Sequence, residues 1–333
     1  MNGKFIISLD FELHWGVFDA LSLDQYQNNL NNVKGIIDRL IILSDKYGVK
    51  LTFATVGLLF ADSKDEIRKY LPAKLPQYSD PKLNPYRLID EIGENESTDT
   101  IHYAKSIIKK IVLNGNHEIS THTFGHYNCL EAGQSIDEFS EDLIAAKKIA
   151  NDMNIEINSI VFPKNQVTKE YLGACRQNGI ISYRGTENYF LYDVKLLQKR
   201  KIIRKLYRLI RFMDGYINIS GFNTYPINSL KKDESGLINL PSSRFLRPFI
   251  PKLYFLESLK CLRIRKAMRY AALNNELFHL WWHPHNFGSN IEENFYNLES
   301  IFKEYALLNE KYNFKSATMT ELTNEILKEN INI

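Results

Sequence analysis

Cysteine is scarce in this 333-residue chain and never closely spaced: Cys129, Cys175 and Cys261 stand far apart and odd in number. With no C-x-x-C pair, neither a disulfide framework nor a thiolate zinc site is expected, and three reduced thiols are. Long hydrophobic runs are also missing. None approaches the ~20 residues that a membrane span needs, and Asp10 and Glu12 interrupt the apolar start that a secretion signal would require. The expectation is a cytoplasmic protein, with peripheral contact to the inner face of the membrane left open. Charge of one sign is lacking as well. A net charge of +3 gives no argument for nucleic acid. There are no internal repeats and no low-complexity tracts. The length suits one large α/β domain or two modest ones.

Strand and helix signals alternate through the first third. Residues 5–9 read as a short buried strand with Asp10 at its end. Ser22-Leu23-Asp24-Gln25 has capping-box form and opens a helix whose Val33, Ile36, Ile37, Leu40 and Leu43 fall at helical spacing. Residues 49–56 follow as a second buried strand, giving a βαβ unit and hence a parallel sheet. Residues 62–100, polar and with prolines, predict a long excursion over the rim of the sheet. Further strands are expected at Glu118–Thr121, 159–162 and 180–183, with a helix capped at Ser135 between the first two. The rhythm fades from about 190 to 275. A strong strand at Glu276–Trp282, a helix over 292–311 and a short strand at 317–319 close the chain.

Three segments carry chemistry, each at a strand end. His122-Thr123-Phe124-Gly125-His126 spaces two imidazoles four apart, which on a helical turn puts both on one face and within reach of one metal. Two ordinary surface histidines would give the same spacing. Asp10-Phe11-Glu12 places two carboxylates on one side of a strand, pointing into the mouth of a parallel barrel. One acid can ligate metal while the other takes a proton; alone, they could be a solvated loop pair. Leu280-Trp281-Trp282-His283-Pro284-His285 delivers His283 with His285 close by.

Together these segments resemble the NodB-type polysaccharide deacetylases, the carbohydrate esterase family 4 and its relatives. Asp10-Phe11-Glu12 matches the spaced-acid form of their first motif, His122 to His126 their H-[ST]-x-x-H motif, and Leu280 to His283 their L-x-x-H motif. Leu51-Thr52-Phe53-Ala54-Thr55-Val56-Gly57 is similar to their second strand. The resemblance covers about 3–185 and 275–322. It implies an α/β fold, a distorted (β/α) barrel, with 1–333 as a single catalytic domain carrying an inserted, partly helical segment at about 190–275.

The resemblance also implies one divalent ion, usually zinc, held by His122, His126 and Glu12, with Asp10 as general base and His283 as general acid. A backbone N–H such as that of Tyr127 would join the metal in stabilising the oxyanion. The third motif departs from the family. Val161-Phe162-Pro163-Lys164-Asn165-Gln166 lacks the arginine that orients the base, and Lys164 or Arg184 could replace it by charge. The fourth motif, an acid that orients the catalytic histidine, has Glu187 and Asp193 as candidates. Trp282, Trp281 and Trp15 could stack on sugar rings, although core packing is the commoner fate of such tryptophans, and His285 could support the site.

The uncovered middle is basic. Lys199, Arg200, Lys201, Arg204, Lys205, Arg208 and Arg211 punctuate Ile202, Ile203, Leu206, Ile210 and Met213, which recur at helical spacing. Residues 199–213 are therefore expected to form either a barrel helix with a solvated cationic face or a contact with anionic lipid, a polyprenyl-phosphate or a nucleotide-linked sugar. The functional expectation is a metal-dependent hydrolase that removes an acetyl or other N-acyl group from an amino sugar. The substrate would be a cell-surface polysaccharide precursor or a lipid- or nucleotide-linked glycan. The alternative is a barrel that binds glycan or metal without turnover, suggested by the altered motifs.

Overall fold

A computed structural model describes residues 1–193 and 201–331. Among these, ten strands form one sheet: β1 (Lys4–Phe11), β2 (Thr52–Thr55), β3 (Glu118–Thr121), β4 (Ser159–Ile160), β5 (Ser182–Tyr183), β6 (Tyr225–Pro226), β7 (Ile238–Asn239), β8 (Arg244–Phe245), β9 (Glu276–Trp282) and β10 (Lys315–Ser316). Their order is β6-β9-β1-β2-β3-β4-β5-β7, with β8 also on β9 and β10 on β1. Every pairing is parallel except that of β6 with β9. All eight residues of β1 are buried, as befits a central parallel strand covered on both faces.

The sheet curls into the distorted barrel expected from the sequence, and residues 238–246 span its open side. The N–H groups of Ile238, Leu240 and Ser242 donate to the carbonyls of Ile181, Tyr183 and Gly185. Those of Ser243 and Leu246 then donate to His279 and Trp281 on β9. The middle of the chain is thus partly helical, as expected, but it also supplies β6, β7 and β8 to the same sheet.

The helices among the described residues are α1 (Leu23–Asn31), α2 (Val33–Tyr47), α3 (Lys64–Lys69), α4 (Lys105–Asn114), α5 (Ile136–Asn151), α6 (Lys169–Gln177), α7 (Lys201–Asp214), α8 (Glu257–Asn274), α9 (Ile291–Tyr312) and α10 (Met319–Ile331). They lay apolar stripes such as Val33, Ile36, Ile37 and Leu40 of α2 onto the sheet, and one main core results. None is long and apolar enough to cross a membrane. Lys199 and Arg200 lie outside the described residues; α7 contains the rest of the basic stretch.

Local expectations differ from the structure in three places. The capping box at Ser22 does not form, because the Gln25 N–H donates to the Ser22 carbonyl instead of its hydroxyl. The helix expected from there to Tyr47 is two helices broken at Asn32, while Gly48, at φ 64°, ends the second as the sequence suggests. The last strand sits at Lys315–Ser316, just ahead of 317–319. The capping box at Ser135 is complete.

Candidate metal centre and its surroundings

The C-terminal ends of β1, β3, β5 and β9 meet at one mouth of the barrel, where a parallel barrel gathers its functional groups. Asp10 lies within β1 and Glu12 follows it; His122, Arg184 and His283 each follow their strand directly. Glu12 Oε2 stands 3.3 Å from His122 Nε2 and 3.2 Å from His126 Nε2. The three ligand atoms lie within 4.8 Å of one another, and all three residues are buried.

The donor set fits a divalent ion on an observation independent of motif. His122 Nδ1 lies 2.7 Å from the Val161 carbonyl, which can only accept. The proton therefore sits on Nδ1, and Nε2 turns a lone pair toward the Glu12 carboxylate. As a neutral imidazole His122 sets that lone pair 3.3 Å from the carboxylate in a buried site, an arrangement that a cation between them satisfies. Burial would raise the Glu12 carboxyl, but His283, His122 and His126 hold it well below the usual carboxylate range. Burial likewise lowers His126, which favours the neutral imidazole that ligates metal. Gly16 is required here: a Cβ on it would fall 2.0 Å from Glu12 Cδ.

Asp10 is held by Arg184, whose Nη1 and Nη2 donate to its two oxygens at 2.6 and 2.9 Å. The guanidinium also donates to Ser8 Oγ at 2.9 Å and Asn165 Oδ1 at 3.0 Å, and it stacks 4.3 Å over the Trp281 ring. Burial pushes the Asp10 carboxyl up; Arg184, His122 and His283 more than offset this and keep it below its ordinary value. Of the two candidate replacements for the missing arginine, the structure places Arg184 on Asp10. Lys164 is turned away to Asp19, 2.7 Å distant.

His283 Nε2 lies 3.7 Å from Asp10 and 3.6 Å from Glu12. Its Nδ1 is 3.2 Å from Asn286 Oδ1, so a neutral amide three residues on orients the ring. Glu187 and Asp193 line the adjoining cavity instead.

No family model matches the chain, and no curated protein matches it. Solved structures do. It superimposes with a TM-score of 0.61 on a Mycobacterium smegmatis protein provisionally assigned as a polysaccharide deacetylase, at 11% identity, covering 99% of this chain and 92% of that one. The chain has the polysaccharide deacetylase fold. Puue allantoinase shares it at a TM-score of 0.52 and 8% identity, over 96% of this chain and 88% of that one. The α-amylase AmyC from Thermotoga maritima aligns at 0.50 and 12% identity, over 97% and 75%. These likenesses are of fold, so chemistry must be argued from the site itself.

On this deacetylase fold the histidine loop is not the helical turn that its spacing suggested. Thr123 and His126 take φ 64° and 55°, left-handed values unusual for such residues. Asp142 of α5 holds the loop in shape. Its carboxylate accepts the N–H groups of Phe124 and Gly125 at 2.5 and 3.0 Å and the Tyr86 hydroxyl at 2.8 Å. Gly125 leaves the room for that phenol, since a Cβ would lie 2.5 Å from its oxygen. The Tyr127 N–H, the oxyanion donor expected from the sequence, is already donated to Thr123 Oγ1 at 2.7 Å.

Asp142 carries a testable consequence. Burial pushes its carboxyl up to about 6, outweighing its three donors. A folded-state value above the unfolded one means that its stability contribution is full below about pH 4 and is lost as pH rises through about 6. Asp142→Asn should abolish that slope in melting temperature between these limits. At neutral pH two effects then oppose: one buried donor faces an amide NH₂, at a cost of about 1–3 kcal/mol, while a buried charge is removed. A variant with wild-type melting at every pH would remove Asp142 from this role.

The expectation that Trp282 or Trp15 could stack on a sugar is corrected. Trp282 is fully buried and stacks on Phe287 at 5.6 Å within the core, and Trp15 is buried with its indole N–H on the His102 carbonyl; neither can receive a sugar. Trp281 is partly buried and faces the cavity. His285 is buried, stacked on His283 at 5.0 Å and 3.9 Å from Glu12; burial, then the neighbouring His283, pulls it down to about 3. It supports His283 as a neutral ring.

A cavity of about 440 Å³ opens beside His283, lined by Trp281, Phe245, Arg208, Arg211 and Arg247 among others. A groove of about 1060 Å³ shares Asn165, Thr186 and Glu187 with it.

Proposed function

We propose that this protein is a metal-dependent hydrolase that removes an acetyl or other N-acyl group from an amino sugar, in a cell-surface polysaccharide precursor or a carrier-linked glycan inside the cell. The whole of 1–333 is read as one catalytic domain. The observation that carries the proposal is the Glu12-His122-His126 group with the Arg184-held Asp10 and His283 on one side of it. One carboxylate oxygen and two imidazoles suit a zinc ion with a position left open, which would polarise the acyl oxygen and bring the pKa of a water toward ~7.

The residues divide the remaining work. Asp10 accepts the proton of the attacking water. A carboxylate held this acidic is a weak base by itself, so its task is to orient and deprotonate a water already acidified. Arg184 keeps it anionic and fixed. His283, oriented by Asn286, donates a proton to the departing amine. The adjoining groove has room for further sugar units. Arg184 on Asp10 and Asn286 on His283 supply the orientation that the third and fourth motifs lacked, which favours turnover over the non-catalytic reading.

The test is acyl release from N-acetylhexosamine oligomers and nucleotide sugars by protein of known metal content. Chelation should abolish release and added zinc or cobalt should restore it. A purified protein that binds neither ion, and releases no acyl group with either added, would sink the proposal.

A further inference from the structure

Helix α7 presents its apolar side to water. Ile202, Leu206, Leu209 and Met213 recur at i, i+4, i+7 and i+11, one stripe about 16 Å long. On a globular protein such a stripe faces the core. Here the four residues are 82%, 56%, 56% and 43% exposed, and Ile217 and Ile219 extend the exposed surface beyond the helix. The opposite side turns inward. Tyr207 packs on Phe190 at 6.4 Å, and buried Asp214 is clamped by Arg244 and Arg263.

That inward side lines the cavity beside His283 with Arg208 and Arg211. Arg247 faces them, its guanidinium 5.1 Å from the Phe212 ring and donating to the Arg211 carbonyl at 3.0 Å. Arg211 Nε is buried without a hydrogen-bond partner. The cavity's acids are Glu187 and Asp193, and burial pushes the Glu187 carboxyl up. Among the described residues none of the three arginines is ion-paired to a carboxylate. An anion is the ligand that this arrangement fits.

We propose that α7 lies in the surface of an anionic membrane with its apolar stripe in the lipid, and that Arg208, Arg211 and Arg247 take the phosphate through which a membrane lipid carries the acylated sugar. The sugar rests on the hydrolase reading; the membrane contact does not. One helix diameter, about 10 Å, separates the two sides of α7. A phosphate at the arginines would then sit just above the headgroup plane, with its sugar reaching His283. Exposed Lys205 flanks the stripe, and α7 as a whole carries Lys201, Arg204, Lys205, Arg208 and Arg211 against the single acid Asp214, as suits a surface of anionic headgroups. A second copy of this chain fits less well, because two-fold pairing of the stripe brings these cations toward their own copies.

The experiment is sedimentation of the metal-loaded full-length protein with vesicles of phosphatidylcholine, alone or mixed with phosphatidylglycerol. Binding should be at least about tenfold stronger to the anionic vesicles, weaken with salt, and be lost in Leu206→Glu/Leu209→Glu with melting temperature and metal content retained. Inorganic phosphate should quench Trp281 fluorescence saturably in the wild type and much less in Arg211→Gln/Arg247→Gln. No vesicle binding at low salt, or binding that survives the double glutamate change, overturns the proposal. So does phosphate binding without vesicle binding, which would assign the cavity to a soluble anion, and so does self-association abolished by the glutamates. Vesicle binding is read without turnover, so acyl release that fails while binding holds counts against the hydrolase reading alone.

Discussion

Asp10→Asn is expected to lower acyl release by roughly 10²–10⁴-fold while the metal content stays at the wild-type level, because a proton acceptor is removed and no ligand is. Asp10 stands outside the Glu12-His122-His126 group, and each of its oxygens accepts one bond from Arg184 with a lone pair to spare. The substitution also has a structural cost. It leaves the buried Arg184 guanidinium facing an amide with one acceptor and one donor, a loss on the order of 3–5 kcal/mol where a buried pair is broken. Melting temperature and metal content must therefore be measured beside the rate. The double variant Asp10→Asn/Arg184→Met removes both charges and should regain much of the stability, but none of the rate. A fully active Asp10→Asn would show that the base lies elsewhere.

His126→Ala should have the opposite signature: metal is lost first, and rate with it. Its Nε2 is one of three converging donors, and a two-donor remnant of Glu12 and His122 binds divalent ions far more weakly. Metal that binds only the folded chain stabilises it by about 4 kcal/mol at a free concentration of 1,000 times its Kd. Added zinc should therefore raise the melting temperature of the wild type and leave that of His126→Ala unmoved. An alanine variant that keeps full zinc stoichiometry after dialysis would show that the centre is built from other residues.

The parts of the site legible in the sequence share a form, a buried apolar run that ends in a chemistry-bearing residue. Residues 5–9 before Asp10, Glu118–Thr121 before His122 and Glu276–Trp282 before His283 all have it, and each strand places its residue at the barrel mouth. What stayed hidden depends on distance through space. Lys164 and Arg184 are equal as charges in a sequence; only the curl of the sheet brings the second to Asp10. Asn286 carries no signal as an orienting group, since the chemistry leads one to look for an acid. Asp142 did leave a trace. It sits between Phe139 and Leu143 on the inward stripe of α5, where an acid needs a reason. Gly16 reads as an ordinary turn glycine until the Glu12 carboxylate is seen against it.

The span from Ile238 to Leu246 was illegible for another reason, and that reason has a consequence for how the chain can change. It is joined to β5 and β9 by main-chain groups, and main-chain pairing is nearly indifferent to which side chains are present. Its side chains answer to burial instead of to a motif: Ile238, Leu240 and Leu246 lie in the core, and Ser243 Oγ accepts the His279 N–H. Its length is another matter: one residue gained or lost reverses the side to which every later side chain points. Arg244, which clamps Asp214 beneath α7, and Arg247 in the cavity would both be misdirected. Over evolutionary time this stretch is held to buried side chains in composition and fixed in count, a kind of constraint that motif patterns do not register.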